Sequence, residues 1–307
     1  VEEKEIRVRA FLIAIAAILW ATDTPFRLPA VQALNPIQVV LFEHGIGLFA
    51  LIIWAILKKR KEVIYLNKKD WLGAILVGGG GSALATVLFS ASFHFINPSL
   101  TILLQKLQPV LVIFLAYLFL NEKPQKELFI WSVLALFAAT VLSFPDLNFS
   151  FLKQGIDIHS RGVLYALGAA FLWAIATISG KYLLGKNSPG TVTFWRYSFG
   201  FLTLTGMSLL SHTGHGTESV NLLAWTSPPV LRALLYISFF PGLISMIAYY
   251  TGLLKTPAST ATLIELLYPV TAVLINTVAL NAPLTPVQLG AGTVLLLAVL
   301  KISWNSR

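Results

Sequence analysis

Polar and apolar positions alternate along this chain on a long scale. Ten apolar runs occupy positions 10–28, 39–57, 71–95, 99–120, 128–144, 162–184, 192–210, 231–254, 258–280 and 287–304. A helix needs about 20 apolar residues to cross a bilayer, and runs of this size meet that length. Turn and breaker residues bound several of them, at Asn35-Pro36, Asn97-Pro98, Pro124, Asn187-Ser188-Pro189, Pro228-Pro229, Pro257, Pro283 and Pro286. Short segments of period-two alternation, the mark of an outer-membrane barrel, are absent. The pattern predicts an all-α integral membrane protein with ten transmembrane helices.

The basic residues orient these helices. With the N-terminus placed in the cytoplasm, sixteen Lys and Arg fall on inside segments and four (Arg27, Lys153, Arg161, Arg232) outside, while Lys106 and Arg196 lie within spans. That bias puts both termini on the cytoplasmic side.

An internal repeat then appears. A-A-I-L-W-A at 16–21 and A-A-F-L-W-A at 169–174 agree at five of six positions, at an offset of 153. The same offset pairs Thr24 with Thr177, Pro36 with Pro189 and Gly47 with Gly200. An offset of 160 pairs Pro109-Val110 with Pro269-Val270 and Leu120-Asn121 with Leu280-Asn281. The chain therefore divides into two five-helix repeats, 1–150 and 151–307. Because five is odd, the second repeat enters from the opposite side, giving the inverted-repeat plan of secondary transporters with a substrate site near the midplane. The repeat also argues that the first run is a retained helix rather than a cleaved signal peptide.

Composition agrees. Of 307 residues 56% are hydrophobic and 11% charged, with a mean hydropathy of +0.77. A soluble domain carries about 25% charged residues, so a soluble enzyme and a disordered chain are excluded. The formal charge of +9 is accounted for by the loop bias, so nucleic acid is not needed as a partner. The absence of cysteine removes disulfides, thiolate metal sites and cysteine nucleophiles.

The sequence resembles the ten-helix EamA-type branch of the drug/metabolite transporter superfamily. The matching features are the five-plus-five repeat, the L-W-A in each first helix, and N-P or S-P before each second helix. Proline within the fourth and ninth runs, with an acidic L-N-E-K-P loop at 120–124, completes the match. The second repeat departs from it, with Ala282 at the position of the loop acid. The resemblance implies export or exchange of amino acids and other small metabolites across an inner membrane, without fixing the substrate.

Ionisable residues inside spans carry the candidate chemistry, since each costs about 3 kcal/mol at mid-bilayer unless it faces a cavity or partner. These are Asp23, Glu43, Lys106, Arg196 and Glu265. Thr101, Gln105 and Gln108 form one polar stripe beside Lys106, and Pro109 is expected to kink their helix. Thr262, Glu265 and Tyr268 form the corresponding stripe beside Pro269. Lys106 and Glu265 could clamp a zwitterion, or pair directly with no ligand. Gln105, Gln108, Arg196 and Tyr268 complete the expected substrate site, with Arg196 facing inward on the stripe Thr193–Arg196–Gly200–Thr203. Glu43 and His44 are candidates for proton coupling, although neighbours on a helix diverge by about 100°. The alternative pairs Glu43 with Arg196 or Lys106. Asp23 and Arg27 form an i, i+4 pair around Pro25, which marks a local break; the pair is expected to be structural, with Arg27 reaching the outer interface. Trp20, Trp173, Phe93, Tyr249 and Tyr250 could wall an aromatic solute or simply pack.

Other motifs are weak. Gly78–Gly81 with Ser82 lacks the lysine of a phosphate loop and reads as a packing or hinge element. His212 and His215 are a poor metal signal, and Asn148–Ser150 is a glycosylation triplet on the expected outside. No G-x-S-x-G or H-E-x-x-H motif supports an enzyme, and no repeated pore-lining charge supports a channel. The expected function is a secondary transporter of a small polar metabolite, an amino acid or related organic solute, working by alternating access in a bacterial inner membrane. Exchange of organic anions or sugar phosphates is the alternative. The expected partners are a small-molecule substrate, the lipid bilayer and protons as a candidate coupling ion, with no cofactor or metal and a monomer or homodimer.

Overall fold

A computed structural model describes residues 2–59, 61–96, 98–123, 126–143, 158–214, 227–280 and 285–304. The glycosylation triplet, His215 and Ala282 lie outside the described residues, as does the side chain of His212. The described residues form helices α1 (Glu2–Ala21), α2 (Thr24–Ala33), α3 (Pro36–Leu57), α4 (Trp71–Ile75), α5 (Ala85–Ser92), α6 (Pro98–Gln105), α7 (Gln108–Phe119) and α8 (Lys126–Ser143). The second half contributes α9 (Ile158–Leu184), α10 (Pro189–Gly214), α11 (Pro228–Ile237), α12 (Ser245–Leu253), α13 (Ala258–Ile264), α14 (Leu267–Leu280) and α15 (Pro286–Trp304). Two π-helical segments, Leu76–Leu84 and Ser238–Ile244, join α4 to α5 and α11 to α12.

Among the described residues four continuous helical runs have the length and apolarity to cross a membrane: Pro36–Leu57, Lys68–Ser92, Arg161–Leu184 and Pro228–Leu253. A fifth consists of α1 and α2 across a 42° bend. The bend falls where Pro25 sits in the first turn of α2, in agreement with the break expected there. The outside of the bundle is apolar, with Phe129, Ile130, Val133 and Phe137 of α8 all exposed. Asp23, Arg27, Glu43, His44 and Lys106 are buried. This arrangement reverses that of a soluble protein and suits a lipid solvent.

The dipeptides before the second helix of each half are caps. Asn35 and Gln38 form a capping box ahead of Pro36, and Ser188 Oγ accepts from Thr191 N at 3.1 Å ahead of Pro189. These helices, α3 and α10, cross at glycines. A Cβ on Gly47 would lie 2.2 Å from Tyr197 Cε1, and one on Gly200 would lie 2.6 Å from His44 Cδ2. His44 and Tyr197 are themselves partners at the offset of 153, so the crossing has the local form of a two-fold contact. The glycine run acts in packing, as expected. A Cβ on Gly78 would lie 2.6 Å from Arg196 O, and one on Gly81 would lie 2.2 Å from Ala176 Cβ.

The fourth and ninth runs are each broken. Leu107 N donates to Leu104 O at 3.1 Å and Leu266 N to Leu263 O at 3.2 Å, forming tight turns between α6 and α7 and between α13 and α14. Pro109 and Pro269 supply the cause, since each lacks the N–H that would continue the helical ladder. The freed carbonyl of Glu265 accepts from Tyr268 N at 2.9 Å instead.

Candidate central cavity

The two breaks face one cavity, which is partly open to the outside. Every residue expected at the substrate site lines it: Gln105, Lys106, Gln108, Arg196, Glu265 and Tyr268, together with Glu43 and His44. The pairings, however, differ from those expected. Lys106 Nζ donates to Ala139 O of α8 at 2.6 Å, rather than to a carboxylate in Glu43 or Glu265. Gln108 Nε2 approaches Glu265 Oε2 at 3.5 Å, while Glu265 Oε1 is buried without a hydrogen bond. Gln105 Oε1 and Thr262 Oγ1 are also buried without partners. The two helix breaks thus present several unsatisfied polar atoms to one space, and such groups are rare in proteins unless a ligand or water completes them.

Arg27 corrects the sequence reading. It is buried rather than at an outer interface, because two buried carboxylates, Asp23 and Glu43, hold it there. Its Nε donates to Asp23 Oδ2 at 2.5 Å, and its Nη2 to Asp23 Oδ1 at 3.0 Å and Glu43 Oε2 at 2.8 Å. Glu43 is therefore paired with Arg27, not with Arg196 or Lys106. His44 turns elsewhere, with Nδ1 2.8 Å from Val40 O and Nε2 2.7 Å from Ser82 Oγ. The carbonyl can only accept, so Nδ1 carries a proton and a neutral ring takes the Ser82 hydroxyl proton at Nε2. Arg196 Nη1 donates to Tyr250 Oη at 3.1 Å.

Aromatic side chains form much of the wall. Trp20 lies 5.2 Å from Tyr249 and Phe89 lies 5.3 Å from Trp173, centroid to centroid, and all four line the cavity. Phe93 stacks edge-on against Phe89 without lining it. Sequence reasoning missed Tyr197, Met246, Pro241 and Gly242, which have no polar stripe to mark them. Pro241 lies inside the second π-helical segment, the counterpart in position of the glycine run.

The loop acid Glu122 has a defined partner. Its carboxylate accepts from Ala258 N at 2.8 Å, Ser259 N at 3.0 Å and Ser259 Oγ at 2.7 Å, closing the start of α13. On the same turn Lys181 Nζ donates to the carbonyls of Leu253, Leu254 and Thr256.

An apolar exterior around a buried polar cavity with unsatisfied groups defines a multi-pass membrane protein that handles a small solute. Residues 8–144 and 160–304 each match the EamA-like transporter family, and the chain belongs to that family. It is a membrane transporter built of two EamA units, not an enzyme. Among its relatives, the riboflavin transporter ImpX of Fusobacterium nucleatum is 30% identical over 297 residues, covering 96% of this chain and 97% of that one. The uncharacterised transporter YvbV of Bacillus subtilis is 28% identical over 294 residues, covering 94% and 88%. The uncharacterised inner membrane transporter YhbE of Escherichia coli K12 is 23% identical over 190 residues, covering 61% and 58%. A crystal structure superposes with a TM-score of 0.77 at 17% identity, covering 98% of this chain and 99% of that one, and so shares the fold.

Proposed function

We propose that this protein is a secondary transporter that moves a flat heteroaromatic metabolite of the flavin kind across an inner membrane by alternating access. The observation that carries this reading is the cavity itself, with Trp20, Trp173, Tyr249 and Phe89 as walls and unpaired Gln105, Thr262 and Glu265 atoms at the helix breaks. Aromatic rings hold a planar solute by offset stacking, and amide and carboxyl groups at its edge fix its orientation. The similarity to a riboflavin transporter supports the same class. In this reading ten spans form two inverted five-helix repeats, 1–150 and 151–307, with both termini cytoplasmic, and the repeats rock about the α3–α10 crossing.

The substrate site comprises Gln105, Lys106, Gln108, Arg196, Glu265 and Tyr268. Glu43 and His44 are the groups that a proton-coupled cycle would use. A second reading, export of an amino acid, draws on Lys106 and Glu265 lining the same cavity, where they could hold a zwitterion from its two ends. Counterflow in proteoliposomes separates the two. Labelled riboflavin is expected to exchange against internal riboflavin and to be displaced by other flavins but not by amino acids. Exchange of amino acids with no flavin movement would replace the first reading with the second.

A further inference from the structure

The two repeats place opposite charges at corresponding points, and among the described residues only one of them meets an opposite charge. At the offset of 153, Asp23, Arg27 and Glu43 of the first half correspond to Ala176, Gly180 and Arg196 of the second. The first set closes on itself as a buried cation between two carboxylates. The second, among the described residues, is a base with no acid beside it. Ala176 and Gly180 stand where the first half has Asp23 and Arg27, and neither side chain can carry a counter-charge.

The geometry around Arg196 shows what is missing. Among the described residues its guanidinium donates only to the phenol of Tyr250, which reaches it by lying against Gly180, where a Cβ would be 3.0 Å from Tyr250 Cε1. Nε is buried and makes no hydrogen bond. Among the described residues no carboxylate lies within ion-pair distance of the guanidinium. Arg27 already occupies Asp23 and Glu43, and Glu265 lies against Gln108. With Nη1 engaged by Tyr250, the edge formed by Nε and Nη2 remains. That edge offers two parallel donors at the spacing of two carboxylate or phosphate oxygens. Arg196 and Ala176 both line the cavity, so a group that settles there lies within reach of the base.

We propose that Arg196 is the anion receptor of the cavity, taking a carboxylate or phosphate group of the transported solute on its Nε–Nη2 edge. The solute supplies in the second half the counter-charge that Asp23 and Glu43 supply in the first. This deepens the flavin reading and rests on the cavity being the substrate site: the preferred flavin is one with an anionic tail.

The test uses the full-length protein and two probes, riboflavin and riboflavin 5′-phosphate, with succinate as an anion unrelated to flavins. In counterflow the phosphate ester is expected to compete better than riboflavin in wild type. Arg196→Gln is expected to shift the ratio of their half-maximal concentrations at least tenfold against the ester, and Arg196→Lys, a point donor without the fork, to fall between. Thermal unfolding in detergent is the second measurement. The ester is expected to stabilise wild type saturably, with a half-maximal concentration raised at least tenfold in Arg196→Gln. An unchanged ratio, or equal stabilisation of wild type and Arg196→Gln by the anions, overturns the proposal. If neither flavin exchanges, the flavin reading falls and unfolding decides alone: stabilisation by succinate that requires Arg196 upholds the anion receptor, and an absence of stabilisation by any anion overturns it.

Discussion

Arg27 Nη2 lies 2.8 Å from Glu43 Oε2, joining the bent first span to α3 deep inside the bundle. The same guanidinium holds Asp23, so one cation compensates two buried carboxylates. Removing one partner of a buried ion pair typically costs about 3–5 kcal/mol, because the charge left behind keeps its desolvation penalty. Arg27→Gln is therefore expected to lower the unfolding temperature sharply. Adding Glu43→Gln to it should recover part of the loss. A thermal melt of the two variants checks this, and a double variant less stable than the single one would mean that the pairing is not the source of the effect.

The α3–α10 crossing predicts a contrast among glycines. A Cβ on Gly47 meets the Tyr197 ring at 2.2 Å, a distance that forces helices apart, and overpacking of this kind costs about 1–3 kcal/mol or more. Gly206, on the same α10, has nothing within 4 Å of its Cβ position. Gly47→Ala is expected to destabilise the protein and to impair transport if the repeats rock here. Gly206→Ala should be neutral or slightly stabilising, since alanine is the better helix former. Equal melting temperatures for the two variants would contradict the crossing geometry.

Glu122 accepts three hydrogen bonds at the start of α13, whose far end carries Thr262 and leads into Glu265 of the cavity wall. Loss of such a cap costs about 1–2 kcal/mol. Glu122→Ala is expected to show that loss in chemical or thermal unfolding, together with a changed transport rate because the cap holds one wall of the site. Glu122→Gln, which retains one acceptor oxygen, should be intermediate. Wild-type stability and transport in Glu122→Ala would show that the contacts are energetically idle.

Much of this architecture was legible because its signals are local. The prolines at 109 and 269 break their helices where the missing N–H requires, and Asn35-Pro36 and Ser188-Pro189 cap helices as their chemistry dictates. The polar stripes led to the cavity, since an ionisable residue in an apolar run has few other places to go. Pairing was not legible. The expectation for Arg27 considered only Asp23 on its own helix, whereas Glu43 of α3 also holds it inside the bundle. Lys106 finds a backbone carbonyl on α8, and no sequence pattern marks which carbonyl of a neighbouring helix is within reach. The walls contributed by Pro241 and Gly242 depend on a π-helical segment that shifts the helical register, which periodicity counted at 3.6 residues does not anticipate.

The two candidate proton-coupling residues belong to the same buried centre. Glu43 and His44 are adjacent in sequence but bond to different groups, Glu43 to Arg27 and His44 to Val40 O and Ser82 Oγ. A carboxylate that accepts a proton must surrender its ion pair with Arg27, and His44 is fully satisfied as a neutral ring. Proton transfer between them therefore requires both sets of bonds to rearrange during the cycle, while an exchanger needs neither to change. Counterflow by wild type is accordingly expected to be flat between about pH 5.5 and 8, the range in which an unperturbed histidine changes charge. An imposed pH gradient should drive no net accumulation. Accumulation driven by the gradient, abolished in Glu43→Gln and altered in His44→Gln, would instead establish proton coupling through these two residues.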